Sequence, residues 1–292
     1  MTRLKIFLLS LLPQHLLSRI MLKLTHARRL PFRLFFMRWY AKKYNLKMFE
    51  AVEETIENYA SINALFTRAL KPEARPIDDD PYCIASPVDA SVSQAGNIKN
   101  GTIYQAKKHN YSLNALLGGL PQLTAPFTNG KFATLYLSPE DYHRIHMPCT
   151  GTLRETIHIP GRLFSVAPDY VNHVPGLFAR NERLVCIFDT EHGVMAVILV
   201  GAIFVSSIET VWAGTIVPPG AKRLSVVDYS HASKKITLKK GDELGRFNMG
   251  STVILLHSNQ HLEWENLSQE SKVVYGTSIA QIPPQQSNDE RT

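Results

Sequence analysis

Apolar residues in the first fifty positions recur at helical spacing. Leu4, Phe7, Leu8 and Leu11 advance in steps of three and four, and Leu16, Leu17, Ile20, Met21 and Leu24 repeat the pattern after Pro13, the signature of one helix face. After Pro31, residues 32–44 set Leu34, Phe35, Phe36, Trp39 and Tyr40 among Arg33, Arg38, Lys42 and Lys43. Residues 50–70 read as a further helical region, and Lys71-Pro-Glu-Ala-Arg-Pro76 with Asp78 to Asp80 marks a boundary. Beyond it the pattern changes. Short apolar or alternating runs at 132–137, 153–159, 184–188, 194–205, 224–227 and 253–256, separated by Gly, Pro, Asn and Asp, predict a β-rich body. Gly118-Gly119 reads as a turn, and the polar tail with Pro283 and Pro284 as loose chain. The expected class is α+β: basic amphipathic helices over 1–75, a β-rich catalytic body over 76–280, and a flexible tail over 281–292.

At 292 residues and 45% hydrophobic content the chain can bury a sizeable core. Its charge is unevenly placed. Residues 1–47 hold eleven Lys or Arg and no acid, while the remaining 245 carry twenty-one cations against twenty-five acids, a net charge of −4. Cations interleaved with Leu, Phe and Trp form an interfacial composition, apolar groups for lipid and charges for anionic headgroups. Nucleic acid is the rival anion, but its phosphates gain little from a broad apolar stripe. The uncharged stretch 6–18 is too short to span a bilayer and contains Pro13, Gln14 and His15. It lacks the small-residue cleavage site of a secretory signal. Cys83, Cys149 and Cys186 are far apart and form no C-x-x-C pair, which fits a reducing compartment.

Three segments could carry chemistry. In Arg246-Phe-Asn-Met-Gly-Ser-Thr-Val-Ile-Leu-Leu-His257, a hydroxyl follows a glycine and precedes an apolar strand. Ser251 is suited to attack the carbonyl of Gly250, whose missing Cβ permits close approach and strained angles; Gly-Ser-Thr is also an ordinary turn. In Leu137-Ser-Pro-Glu-Asp-Tyr-His-Arg-Ile-His-Met-Pro148, His143 and His146 are three apart and would share a face on a helical turn, as base, acid or orienting groups. With Asp141 the pair could ligate zinc, but no further ligand cluster accompanies them, and no metal is expected. In Ala85-Ser-Pro-Val-Asp-Ala90, Asp89 could hold an imidazole in the required tautomer.

Taken together these segments resemble the phosphatidylserine decarboxylase family. The likeness extends from about Leu65 to Tyr275 and rests on Ser86-Pro-Val-Asp-Ala, His109-Asn-Tyr-Ser-Leu, Tyr136-Leu-Ser-Pro-Glu-Asp-Tyr-His-Arg-Ile-His-Met-Pro, Leu177-Phe-Ala-Arg-Asn-Glu-Arg, Val200-Gly-Ala, Ser207-Ile-Glu-Thr-Val-Trp and Gly245-Arg-Phe. The family tetrapeptide usually reads Leu-Gly-Ser-Thr; here Met249 takes the leucine position, a swap of similar volume and polarity.

The resemblance implies self-cleavage between Gly250 and Ser251. Asp89 orients His146, His146 takes the proton of Ser251, and Ser251 attacks the Gly250 carbonyl. β-Elimination of the ester and loss of ammonia then leave a pyruvoyl group at position 251, with a β chain of 1–250 and an α chain of 251–292. The ketone condenses with the amine of phosphatidylserine and withdraws electrons as CO2 departs; His143 or His146 returns a proton to carbon. The expected setting is the cytoplasmic side of the cell membrane, held peripherally at an anionic surface, and a homo-oligomer is left open. Two other readings remain: a serine hydrolase using Asp89, His146 and Ser251 without cutting itself, and a non-enzymatic peripheral membrane module.

Overall fold

Antiparallel pairing of the apolar runs builds the body. The computed structural model describes residues 6, 12–106, 109–203, 207–216, 222–248, 251–265 and 267–283. Its centre is a nine-stranded sheet. From one edge the order is Ser225–Asp228, Gly151–Ile159, Arg183–Thr190, Gly193–Val200, Ser251–His257, Lys131–Leu137, Ala90–Asn97 and Lys272–Val273, with Thr237–Leu238 also pairing to Gly151–Ile159. The middle strands are apolar on both faces because both faces are covered: Val197 to Val200 and Val253 to Leu256 are all buried. Smaller sheets flank this one. Gly214–Thr215, Ile208–Thr210, Glu243–Phe247 and Arg144–His146 form a four-stranded sheet, and Cys83–Ala85, Ser278–Gln281 and Glu263–Trp264 a three-stranded one.

The runs at 132–137, 153–159, 184–188, 224–227 and 253–256 all lie in or across strands. Of the run at 194–205, residues 194–200 are strand and 204–205 lie outside the described residues; Gly201 gives its carbonyl to Asn181 Nδ2 at 2.9 Å. Asn181 also brackets Phe164, and the buried Arg183 donates to the carbonyls of Ala115, Leu116 and Asn181. The string 177–183 is thus a polar brace inside the body, fully hydrogen-bonded as burial requires. Gly118 and Gly119 have φ of +82° and +79°, the turn expected of them.

Helices occupy Gln14–His26 and Arg33–Lys43; the repeat Leu4, Phe7, Leu8 and Leu11 before Pro13 lies outside the described residues. Residues 50–70 depart from the helical expectation. They form one-turn pieces at Met48–Glu50 and Ile56–Asn58 and a five-residue helix, Ile62–Phe66, capped by Ser61. The reason is local competition: Glu53 accepts from the backbone of Thr55 and from Asn58, and Ala51 bridges to Leu70, partners that stop helix propagation. These pieces and the second helix form their own small core, Met37, Tyr40, Leu46, Tyr59, Leu65 and Phe66, seated on the four-stranded sheet.

Candidate active site

Two chain segments cross from the central sheet to the four-stranded sheet side by side. One leaves Lys131–Leu137 and enters Arg144–His146; the other leaves Glu243–Phe247 and enters Ser251–His257. They are paired at both ends. Ser251 lies opposite Leu137 in the large sheet, while Gly245 lies opposite Ile145 and Arg246 opposite Arg144 in the small one. Between them the Phe247 amide donates to the His143 carbonyl at 3.2 Å. The serine and the histidine segment, a hundred residues apart, therefore meet where two sheets exchange strands. Close packing depends on Gly245, whose added Cβ would sit 2.2 Å from the Glu209 carbonyl oxygen. Met249 and Gly250 lie outside the described residues.

Ser251 is fully buried, and its Oγ has no hydrogen-bond partner among the described residues. Such an orphaned hydroxyl costs about 1–3 kcal/mol. His143 is also fully buried, its ring 3.9 Å from that of Phe66. Its Nδ1 donates to the Asp141 carbonyl at 2.8 Å; a carbonyl only accepts, so the lone pair is on Nε2. That nitrogen too lacks a partner among the described residues. Burial pushes the His143 pKa down to about 3, with Arg68 adding to the effect. The ring is neutral at physiological pH.

His146 has different surroundings. The segment is extended, not a helical turn, since Arg144–His146 pairs with Glu243–Phe247, so the two histidines do not share a face as the spacing suggested. His146 Nδ1 donates to the Gly241 carbonyl at 2.9 Å, and its Nε2 accepts from Tyr142 Oη at 3.1 Å. The Tyr275 ring stacks on the imidazole at 3.8 Å, and its hydroxyl donates to the same Gly241 carbonyl. Burial lowers the His146 pKa.

Asp89 reaches this histidine indirectly. Its carboxylate accepts the Tyr275 amide at 2.8 Å and is clasped by Arg75, whose Nη2 lies 2.6 Å from Oδ2. Arg75 Nη2 also donates to Glu50 Oε2 at 2.9 Å. The expected direct contact of Asp89 with an imidazole is replaced by a chain, Arg75–Asp89–Tyr275–His146. Asp141 turns its carboxylate to Ser138 N and Oγ at 2.7 and 2.6 Å, so it shares no ligand position with His143.

Sequence reasoning missed Tyr142, Tyr275, Arg75 and Asn248. Arg75 belongs to a stretch read only as a boundary, and Asn248 to one read only for its serine. Asn248 Nδ2 donates to Ser207 Oγ and to Glu209 Oε1 at 2.9 Å, and its Oδ1 accepts from Asn63 Nδ2 at 2.8 Å. The string from Ser207 to Glu209 thereby holds the strand just before the crossover.

A buried serine hydroxyl heads a central strand, and two buried histidines lie on the chain segment that runs beside it into the four-stranded sheet. A family model described as phosphatidylserine decarboxylase matches residues 62–281, and a second, described as PSD, matches residues 4–45. Among curated relatives, the phosphatidylserine decarboxylase proenzyme of Pseudomonas entomophila (strain L48) is 52% identical over 285 residues, covering 96% of this chain and 99% of the relative. The proenzyme of the same name from Pseudomonas putida strain F1 is 52% identical over 280 residues, with 94% and 97% covered. That of Pseudomonas fluorescens Pf-5 is 50% identical over 279, with 94% and 96% covered. The chain belongs to the phosphatidylserine decarboxylase family.

Proposed function

We propose that the chain cuts itself between Gly250 and Ser251, forms a pyruvoyl group from Ser251, and decarboxylates phosphatidylserine to phosphatidylethanolamine and CO2 at an anionic membrane surface. Family membership supports the decarboxylation. The observation that carries the self-processing is Ser251 itself: its hydroxyl is sealed from water and, among the described residues, has no hydrogen-bond partner at the start of the central strand, at the residue that must be converted. The buried, orphaned hydroxyl fits a group made in place from position 251.

In processing, the Ser251 Oγ–H bond breaks as Oγ joins the Gly250 carbonyl carbon and the peptide C–N bond opens. Elimination then breaks Cα–H and Cβ–Oγ together, forming a Cα=Cβ double bond and releasing a carboxylate at Gly250; the resulting enamine tautomerises to an imine, and water replaces its nitrogen, which leaves as ammonia. A ketone at position 251 supplies the electron sink for decarboxylation. The side chains supply the proton chemistry. His146, with Nδ1–H fixed by Gly241, is assigned the Ser251 proton through Nε2, which must first exchange its bond from the Tyr142 hydroxyl, and Asp89 acts on it through Tyr275. His143 and His146, both depressed in pKa, become strong acids once protonated and are the groups suited to return a proton to carbon. A water-excluding setting keeps that proton from solvent.

The cleaved chains would remain together. The α-chain strand Ser251–His257 is paired on both sides by Lys131–Leu137 and Gly193–Val200 of the β chain. The N-terminal helix supports the membrane setting, because it is turned apolar side out. Gln14 and Ser18 are buried, with Gln14 Oε1 accepting the Leu163 amide, whereas Leu16, Ile20 and Leu24 are 54%, 47% and 45% exposed. No helix among the described residues is long and apolar enough to cross a membrane. We place the enzyme peripherally on the cytoplasmic side of the cell membrane.

Intact mass and CO2 release test the proposal together. Active wild type yields two chains, the smaller beginning with a pyruvoyl group, and Ser251→Ala stays whole and releases no CO2. A single unmodified chain that is active would favour the hydrolase reading and sink this one.

A further inference from the structure

A cavity of about 330 Å³ lies where the N-terminal helical layer meets the β body, lined by Lys47, Arg68, Arg75, Asp89, Tyr142 and Lys272 among others. It adjoins the site, since Tyr142 bonds His146 and Asp89 bonds Tyr275. Four cations and four acids line it, so its formal charge is balanced. The pairing is not. Arg75 takes Asp89 and Glu50, Lys47 stands 3.6 Å from Glu50, and Lys272 lies 3.2 and 3.6 Å from Glu140 and Asp141. Three cations thus hold all four carboxylates in direct contact. Arg68 holds none.

Arg68 is only 6% exposed, and among the described residues its side chain makes no ion pair and its Nε has no hydrogen-bond partner. Its position is set by the end of the Ile62–Phe66 helix, where its amide bonds the Leu65 carbonyl. Burial lowers its pKa, with Tyr59, Tyr40, Asp89 and Tyr142 opposing the shift from a distance, and a buried guanidinium with no carboxylate in direct contact is costly unless something completes it. The neighbouring Arg144 shows the contrast: Thr67 O and Glu243 satisfy it. An arginine fork is matched in shape to the oxygens of a phosphate or carboxylate.

We propose that Arg68 grips the phosphodiester of the substrate headgroup. This rests on the decarboxylase reading above. The alternative anion on that substrate is the carboxylate, but its charge disappears as CO2 forms. A strong ion pair there would stabilise the ground state over the transition state and slow the reaction. The phosphodiester keeps its charge throughout, so a grip on it serves binding at every stage.

Two experiments test this. In the uncut Ser251→Ala protein, which has no turnover, binding of glycerophosphoethanolamine is measured by calorimetry with and without Arg68→Gln; inorganic phosphate and ethanolamine are the comparison probes. Loss of a charge-assisted pair predicts weakening of about tenfold or more, with Arg68→Lys intermediate and ethanolamine indifferent to the substitution. In processed enzyme, Arg68→Lys should raise KM for dihexanoyl phosphatidylserine about tenfold with kcat little changed. No binding of glycerophosphoethanolamine by the Arg68 protein, equal binding by Arg68→Gln, or tighter binding of free phosphate than of the headgroup overturns the proposal. So does a fall in kcat alone. If processed wild type releases no CO2, the decarboxylase reading fails by itself, while the calorimetry still reports on Arg68. Should Arg68→Gln not fold, Arg68→Lys carries both measurements.

Discussion

Each histidine at the centre of the site is held neutral by burial with its proton on Nδ1, and this has a consequence for stability. An unfolded histidine titrates near 6.5, whereas folded His143 does so at about 3. Between these values the unfolded chain binds more protons than the folded one, so stability falls as pH drops through that window and is unaffected above it. His257, lowered to about 4 by burial, and His146, also lowered, act in the same sense. Replacing His143 by Phe keeps a ring against Phe66 and removes one titrating group. Melting temperatures of the uncut Ser251→Ala protein at pH 7 and pH 5 should therefore differ less with His143→Phe than without it; an identical pH slope would count against a neutral buried His143. The residue types were legible in sequence, but their protonation was not, because it depends on Asp141 and Gly241 carbonyls and on rings from Phe66 and Tyr275.

At the scale of elements, the crossover between sheets decides the geometry, and Asn248 sits at its entrance. Its amide joins Asn63 of the Ile62–Phe66 helix to Ser207 and Glu209 beside the four-stranded sheet. That same helix carries Phe66 against His143. Asn248→Ala would leave Asn63 Nδ2 and Ser207 Oγ buried without this partner, at a cost of about 1–3 kcal/mol. Urea unfolding of the uncut Ser251→Ala protein should show that loss, and in the Ser251 background gel densitometry should show slower cleavage. Unchanged stability and cleavage would mean that the amide is dispensable. The strands were readable as apolar runs, since a strand buried on both faces needs little else. The helical reading of 50–70 failed because Glu53, Asn58 and Ser61 offer the backbone competing bonds at short range.

The whole molecule is a β body with a helical layer that is basic, outward-facing and yet structural. Tyr40 donates to the Pro139 carbonyl and packs with Phe66, so deleting residues 1–47 would strip the cover from the histidine segment as well as remove cations. Phe32 and Phe35, 76% and 73% exposed, offer a cleaner test. Burying a Phe in lipid contributes about 1.5–3 kcal/mol, so Phe32→Ser with Phe35→Ser should weaken binding to anionic vesicles at least about tenfold while cleavage proceeds. Equal vesicle binding would remove this face from the membrane contact.

The Gly-Ser-Thr string, the histidine segment, the β-rich texture and the basic residues 1–47 were all legible in sequence alone, because each is a local pattern of residue type and spacing. Tertiary structure decided what those residues touch. It gave Asp89 to Arg75 and Tyr275, separated the two histidines into different surroundings, left Arg68 without an ion pair among the described residues beside a cavity, and turned Leu16, Ile20 and Leu24 outward. These outcomes depend on which distant segments meet, and strand exchange between two sheets brings together partners that no short-range pattern encodes.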